Sequence, residues 1–236
     1  MSRLTVYLCA FGLLILSLAC GGDSALPTSD VYGRAPWQGD ESLSYEVKND
    51  RGQRLGREVL SVDVEGSRTF LSQLFMSEGR RDESRVEVES ATLKPRSSRR
   101  QILTPADEEV LEATYTEEGV LIKHGDKQSA LSVPEHSYDN DTSLFLWRTI
   151  PFAPGYEASY VTIITNFRSR QVVRLRVIGR EMVRVPAGEF QAWKLEIKTK
   201  NADQVAWYAD TPLRQLLKYD NDRKVIFELE TLVPKP

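Results

Sequence analysis

The chain has 236 residues, 28% charged and 41% hydrophobic, with 31 Lys and Arg against 34 Asp and Glu for a net charge of −3. That balance gives no global electrostatic pull toward nucleic acid, and a chain of this length buries roughly 70% of its unfolded surface without needing staples. Both cysteines, Cys9 and Cys20, stand near the N-terminus, so the rest of the chain offers no disulfide framework, thiol nucleophile or cysteine zinc site.

The chain opens on Met1-Ser2-Arg3 and then runs almost wholly apolar from residue 4 to residue 19. As a helix that run is about 24 Å long, short of the ~30 Å hydrocarbon core of a bilayer. Residues 1–19 therefore read as a signal peptide. The segment Leu16-Ser17-Leu18-Ala19-Cys20-Gly21 resembles the lipobox of bacterial lipoproteins, with the small Ala19 at the cut and Cys20 as the lipidated N-terminus. Ser17 departs from the Leu preferred three residues before the Cys. A plain secretory signal and an uncleaved anchor are the alternatives. Lipidation by two or three acyl chains, each buried methylene contributing ~0.8 kcal/mol, fixes a protein to the membrane. Gly21 rather than Asp follows the Cys, so the outer membrane is the expected address where two membranes exist. Residues 20–41, rich in Gly, Pro, Ser and Thr, read as the lipidated Cys and a flexible tether; Trp37, the large apolar residue of its latter half, either docks on the body or is incidentally exposed.

From residue 42 to residue 233 the sequence predicts one β domain. Leu43, Tyr45 and Val47 alternate; residues 55–64 and 68–76 follow, separated by Gly turns. Further short runs lie at 85–89, 99–103, 110–116, 120–123 and 128–133. Alternating runs at this spacing, broken by Gly and Asx turns, mean antiparallel sheet. The pattern breaks once. Asp141 stands as an N-cap before Ser143-Leu144-Phe145-Leu146-Trp147, which is apolar on every side. Such a helix must be buried, so the reading is one short buried helix near 141–149, plugging a curled sheet.

Strand pattern then resumes at 158–165, 171–185, 190–198, 204–208, 214–219 and 224–229. Its strongest hairpin turns at Val185-Pro186-Ala187-Gly188, with Pro second and Gly fourth as a type I turn requires. A three-residue loop with a Gly bulge pairs Glu181 with Trp193 and Gly179 with Leu195, leaving Gly179 for Trp193 to cover. The same parity puts Arg174, Arg176, Arg180 and Arg184 on one strand face, joined by Lys194 and Lys198. Two readings fit that row: a dock for anionic headgroups or cell-wall polymer, or a solvated face. Trp147, Trp193 and Trp207 likewise either line a ligand cavity or fill a core.

Four segments together resemble a bacterial envelope family catalogued as domain of unknown function 3108. They are 43–47 with its Gly turn, Leu93-Lys94-Pro95, Asp141-Thr142-Ser143-Leu144 leading to Pro151 and Gly155, and 185–190 followed by Trp207-Tyr208-Ala209-Asp210. Leu216-Leu217 stands where the family tends to a Leu-Pro pair. The resemblance covers residues 41–231. It implies an all-β, mainly antiparallel curled meander, a half-barrel like that of lipoprotein carriers, which hold acyl chains in their concavity. It implies no activity.

The residues add no catalytic constellation. There is no G-x-S-x-G elbow and no H-E-x-x-H. His136 beside Asp139 or Asp141 is a weak triad at best, and His124 falls in a hairpin turn. Asp139-x-Asp141-x-Ser143 resembles the start of a calcium loop, but Leu144 stands where its Gly should be, so capping is the better reading. The expectation is a non-catalytic envelope lipoprotein without cofactor or metal. It binds a lipid or other hydrophobic ligand in its concave face, or serves as an assembly subunit that binds another envelope protein.

Overall fold

The computed structural model describes residues 32–233. Its first eight strands form an antiparallel meander: β1 (Glu41–Lys48), β2 (Arg54–Glu65), β3 (Arg68–Ser77), β4 (Arg80–Glu89), β5 (Pro95–Leu103), β6 (Glu108–Thr116), β7 (Gly119–His124) and β8 (Lys127–Leu131). After β9 (Ser137–Asp139) comes the helical break, with α1 (Ser143–Leu146) between single 3₁₀ turns at Asn140–Thr142 and Trp147–Thr149. A second antiparallel meander follows: β10 (Glu157–Ile164), β11 (Ser169–Val185), β12 (Gly188–Lys198), β13 (Asp203–Ala209), β14 (Leu216–Asp220) and β15 (Ile226–Val233). All fifteen belong to one sheet, because β1 pairs with β15 in its middle. The expected all-β curled meander with one short buried helix is what forms. The unforeseen strand is β9, three residues long and parallel to β10.

The sheet is open, with β8 and β9 at its two edges, and it rolls past the point of meeting. On one face of β10, Ala158 and Tyr160 join the main core. On the other, Val161 and Ile163 meet Ala113, Val120 and Ile122 of β6 and β7. A strand buried on both faces reads as a continuous apolar run, and Tyr160-Val161-Thr162-Ile163-Ile164 does so. The end of the first meander thus overlaps the back of β10. Tyr115 on β6 ties this seam, donating its hydroxyl to Asp139 Oδ2 at 2.6 Å.

The helical segment fills the roll. Leu144, Phe145, Leu146 and Trp147 are all buried, as an apolar-all-round helix requires. Its N-cap is Asp139 rather than the expected Asp141: the Asp139 carboxylate accepts from the Asp141 backbone N–H at 2.9 Å. The helical turn starts two residues earlier than the sequence suggests, as 3₁₀. The Trp147 indole N–H donates to the Tyr160 hydroxyl at 3.0 Å, and the Tyr208 hydroxyl donates to the Leu144 carbonyl at 2.9 Å. Residues 32–40, expected as the last part of the tether, also lie on the body. Tyr32 sits edge-on to Tyr138 and Tyr160, and Trp37 is buried.

The β11–β12 hairpin forms as foreseen, with a different register. Its loop is Pro186-Ala187 alone, closed by the Val185–Gly188 pair, and Gly188 takes a φ of 134°. A bulge at Ile178 then shifts the ladder again. The observed pairs are Arg180–Trp193, Gly179–Lys194 and Val177–Leu195, in place of Glu181–Trp193 and Gly179–Leu195. The bulge leaves one residue unpaired and re-aims its neighbours, which a parity count cannot detect.

One buried ion pair pins these parts together. Arg148, 2% exposed, donates to the Glu41 carboxylate of β1, to the Leu213 carbonyl at 2.7 Å and to the Arg214 carbonyl at 3.1 Å. Its guanidinium also lies 5.4 Å from the Trp37 ring centre. Removing one partner of a buried pair leaves the other charge uncompensated and costs about 3–5 kcal/mol. Arg148→Ala is expected to lower stability by that amount in urea unfolding; a loss under 1 kcal/mol would contradict the anchoring role.

Candidate functional site

Cross-strand partners point to the same side of a sheet, so the inner face of the first meander can be read along its rows. One row is Val62, Leu71, Val86, Ser98, Ala113 and Ile122. The next is Leu60, Gln73, Ser84, Arg100 and Leu111, and the third is Glu58, Phe75, Asp82 and Ile102. The inner face therefore passes from apolar to charged toward one end of the roll. At that end a cleft of about 490 Å³ opens. Its apolar wall is Val47, Leu55, Phe75, Val225 and Phe227; its floor holds Glu58, Asp82 and Arg100, with Asp141 entering from the helical segment.

Local geometry fixes this floor. Phe75 lies across Gly56, where an added Cβ would come within 2.9 Å of the ring and 2.3 Å of the Met76 carbonyl. The aromatic covering of a strand glycine, expected at Gly179 under Trp193, is found at this position. Arg100 forks onto Asp82 with bonds of 2.8 and 2.9 Å, and Arg80 reaches the same carboxylate at 2.8 Å. Arg100 also lies 3.5 Å from Asp141, whose backbone carbonyl accepts from the Gln73 amide.

The charges are unequally compensated. Burial pushes the Asp82 carboxyl up, but the Arg100 and Arg80 guanidiniums outweigh it and hold it below the usual range. Burial raises Asp141 and Asp139 above theirs, with Arg100 opposing the rise at Asp141. Glu58 has no such partner. It is 4% exposed, and among the described residues it makes no hydrogen bond or ion pair. Burial, then the Asp82 charge, push its carboxyl up to about 8, with Arg100 opposing and Asp141 adding. No group of three or more His, Cys, Asp or Glu among the described residues has the geometry to hold a metal ion.

The residues singled out from sequence lie elsewhere. Trp147 and Trp193 face inward, into a filled core: Trp193 stacks on Phe152 at 6.0 Å and donates to Asp210 at 2.8 Å. Trp207 is on the opposite face, because it pairs with Lys194 while Trp193 pairs with Tyr208. Its indole N–H donates to Glu181 at 2.6 Å. As a lining residue of the concave face Trp207 is therefore corrected.

The arginine row is also divided. Arg174 and Arg176 share the face of Lys198 and Glu196, whereas the bulge turns Arg180 to the face of Trp193, 4.1 Å above its ring. Arg176 pairs with Glu196 at 2.9 Å, Arg180 with Asp210 at 3.1 Å, and Arg184 with Glu189. His124 sits 3.0 Å from Glu109. Cys20 and the signal segment lie outside the described residues, and no helix among the described residues is long and apolar enough to cross a membrane.

A single rolled, mostly antiparallel sheet, open at one seam and plugged by a short helix, defines a barrel-like fold class. The profile of a protein family of unknown function, DUF3108, matches residues 31–226, and the chain belongs to that family. Among solved structures it is similar to a beta-barrel-like protein of the domain of unknown function DUF1849 from Brucella abortus. That likeness has a TM-score of 0.53 at 10% identity, over 85% of this chain and 97% of the other. A candidate exported protein with a YmcC-like fold from Bacteroides fragilis aligns at 12% identity with a TM-score of 0.33, over 86% of this chain and all of the other. A candidate lipoprotein from Parabacteroides distasonis aligns at 12% identity with a TM-score of 0.34, over 86% and 99%. No curated protein matches the sequence.

The raised Glu58 carboxyl makes a signed prediction. Between its ordinary range and about 8 the folded state holds a proton that the unfolded state has lost, so stability falls as pH rises through that window. Glu58→Gln removes this slope. In urea unfolding from pH 5 to pH 9 the variant is expected to gain on the wild type progressively, reaching about 4 kcal/mol. Parallel profiles would show that Glu58 is not a desolvated carboxyl.

Proposed function

We propose that this protein is a non-catalytic bacterial envelope lipoprotein, anchored through lipidated Cys20, that binds a hydrophobic ligand in the open end of its concave face. The observation that carries the reading is the cleft between Phe75 and Phe227. The middle of the concavity is occupied by the helical segment and by Trp193 and Phe152, whereas this end keeps about 490 Å³ between an apolar wall and a charged floor, beside a more polar cleft of about 560 Å³ that shares Arg100 and Asn221 with it. Ligand sites are typically concavities of roughly 300–1,000 Å³ that combine apolar surface with placed polar groups; the cleft has that size, with Val47, Leu55, Phe75, Val225 and Phe227 facing a more numerous polar and charged lining. The ligand-lining role moves accordingly from the tryptophans to Phe75, Leu55, Val225 and Phe227. The lipobox-like run ending at Cys20 supports the anchor, and the absence of Asp after it supports the outer membrane.

Gentle extraction followed by native mass spectrometry is expected to show a bound lipid or apolar small molecule. Phe75→Asp, which places a charge on the apolar wall, is expected to empty the protein at least tenfold. An empty wild-type protein that instead copurifies with an envelope protein would favour the assembly-subunit reading. Cys20→Ala is expected to shift the protein out of the membrane fraction, and unchanged fractionation would overturn the anchor.

A further inference from the structure

We infer that the ligand of this cleft carries a protonated amine, seated on the Glu58 carboxylate with its apolar part along Phe75 and Phe227. The inference rests on the cleft being a ligand site and adds the chemistry of the ligand's head. Glu58 is buried, lines the cleft and is unpartnered among the described residues, while the charged side chains around it are engaged. Asp82 and Arg80 face it from β4, Arg100 from β5, and Asp141 from the helical segment. Tyr45 of β1 lies nearby, with its hydroxyl already donated to the Leu216 carbonyl at 3.0 Å.

Charge complementarity selects among head groups. With Glu58 ionised, three carboxylates, Glu58, Asp82 and Asp141, face two guanidiniums, Arg80 and Arg100. An anionic head would add to the excess of negative charge. A plain alkyl chain would bury Glu58 further and give it nothing. A primary ammonium brings one positive charge and three donors to the group that lacks both.

Seating it has a proton balance. The free cleft holds Glu58 as the neutral acid over much of the neutral range, since its carboxyl is pushed up to about 8. Binding converts carboxylic acid plus alkylammonium to a carboxylate–alkylammonium pair and releases one proton to solvent. Affinity for an ammonium must therefore rise with pH up to about 8 and level off above it.

The test titrates the full-length protein in mild detergent with octylammonium, octanoate and octanol, each below its micelle concentration, by calorimetry in buffers of different ionisation enthalpy. At pH 7 octylammonium is expected to bind at least tenfold more tightly than the other two and to release close to one proton. Glu58→Gln is expected to weaken octylammonium at least tenfold and to leave octanol within twofold. Octanoate or octanol binding as well as the amine, no proton release, or an unaffected Glu58→Gln variant would overturn the inference while leaving a hydrophobic site in place. Failure of all three probes to bind would overturn the ligand site itself, and the inference with it. Proton release is read on the wild type, so the test holds even if the variant does not fold.

Discussion

A fifteen-stranded, almost wholly antiparallel sheet has one apolar face, and the described residues supply no second sheet to cover it. That constraint decides the architecture. The sheet must roll until its inner face closes on itself, and a roll this wide leaves a middle that side chains alone do not fill. The short helical segment fills it with Leu144, Phe145, Leu146 and Trp147. Arg148, bonded to Glu41 and to two carbonyls before β14, holds that plug to both meanders at once. The overlap at β10 completes the enclosure: its two faces serve two different clusters, so the open seam is covered without a closing ladder of hydrogen bonds.

The same rolling explains where free volume remains. Around the helical segment the second meander is filled by aromatic stacking, Trp193 on Phe152 and Phe152 on Tyr208, and its own cleft, of about 560 Å³, opens only at the polar end near Gln171, Gln204 and Asn221. The first meander carries charged side chains on its inner face at one end, and charged groups cannot fill space against apolar ones as Leu or Phe do. They hold one another apart at hydrogen-bond distances, and the cleft is the result.

Much of the fold was legible because period-2 alternation depends only on which face is buried. Fourteen strands and the apolar helix were visible that way. The three-residue β9 was not, since Ser137-Tyr138-Asp139 is too short to show a period and its pairing is parallel. The register of β11 against β12 differed first at the loop, which is two residues rather than three, and again at Ile178, where a bulge changes the pairing without changing the composition. The candidate site was missed for a related reason. Glu58 shares parity with Leu60 and Val62, Asp82 and Ser84 with Val86 and Val88, and Arg100 with Ile102. Charges at core parity were there to be noticed, but a count of apolar residues passes over them. Their convergence on Asp141 needs strands about 20 to 80 residues apart in sequence to come together, which no local pattern encodes.

Two buried charges in this protein are treated in opposite ways, and the contrast bears on function. Arg148 is as deeply buried as any side chain of its size and is paired with a carboxylate, bonded to two carbonyls and set beside an aromatic ring. A fold that needs a charge in its interior has here surrounded it with partners. Glu58 sits on a regular strand, one residue pair from Leu60, where an apolar side chain would fit the row and strengthen the core. It has instead a carboxyl that no other described residue bonds, with open volume above it. Structure alone gives no return for that arrangement, since an unpaired buried carboxyl costs stability whether it is held as the acid or ionised. On the proposed reading, the cost is recovered when a ligand with a complementary head enters the cleft.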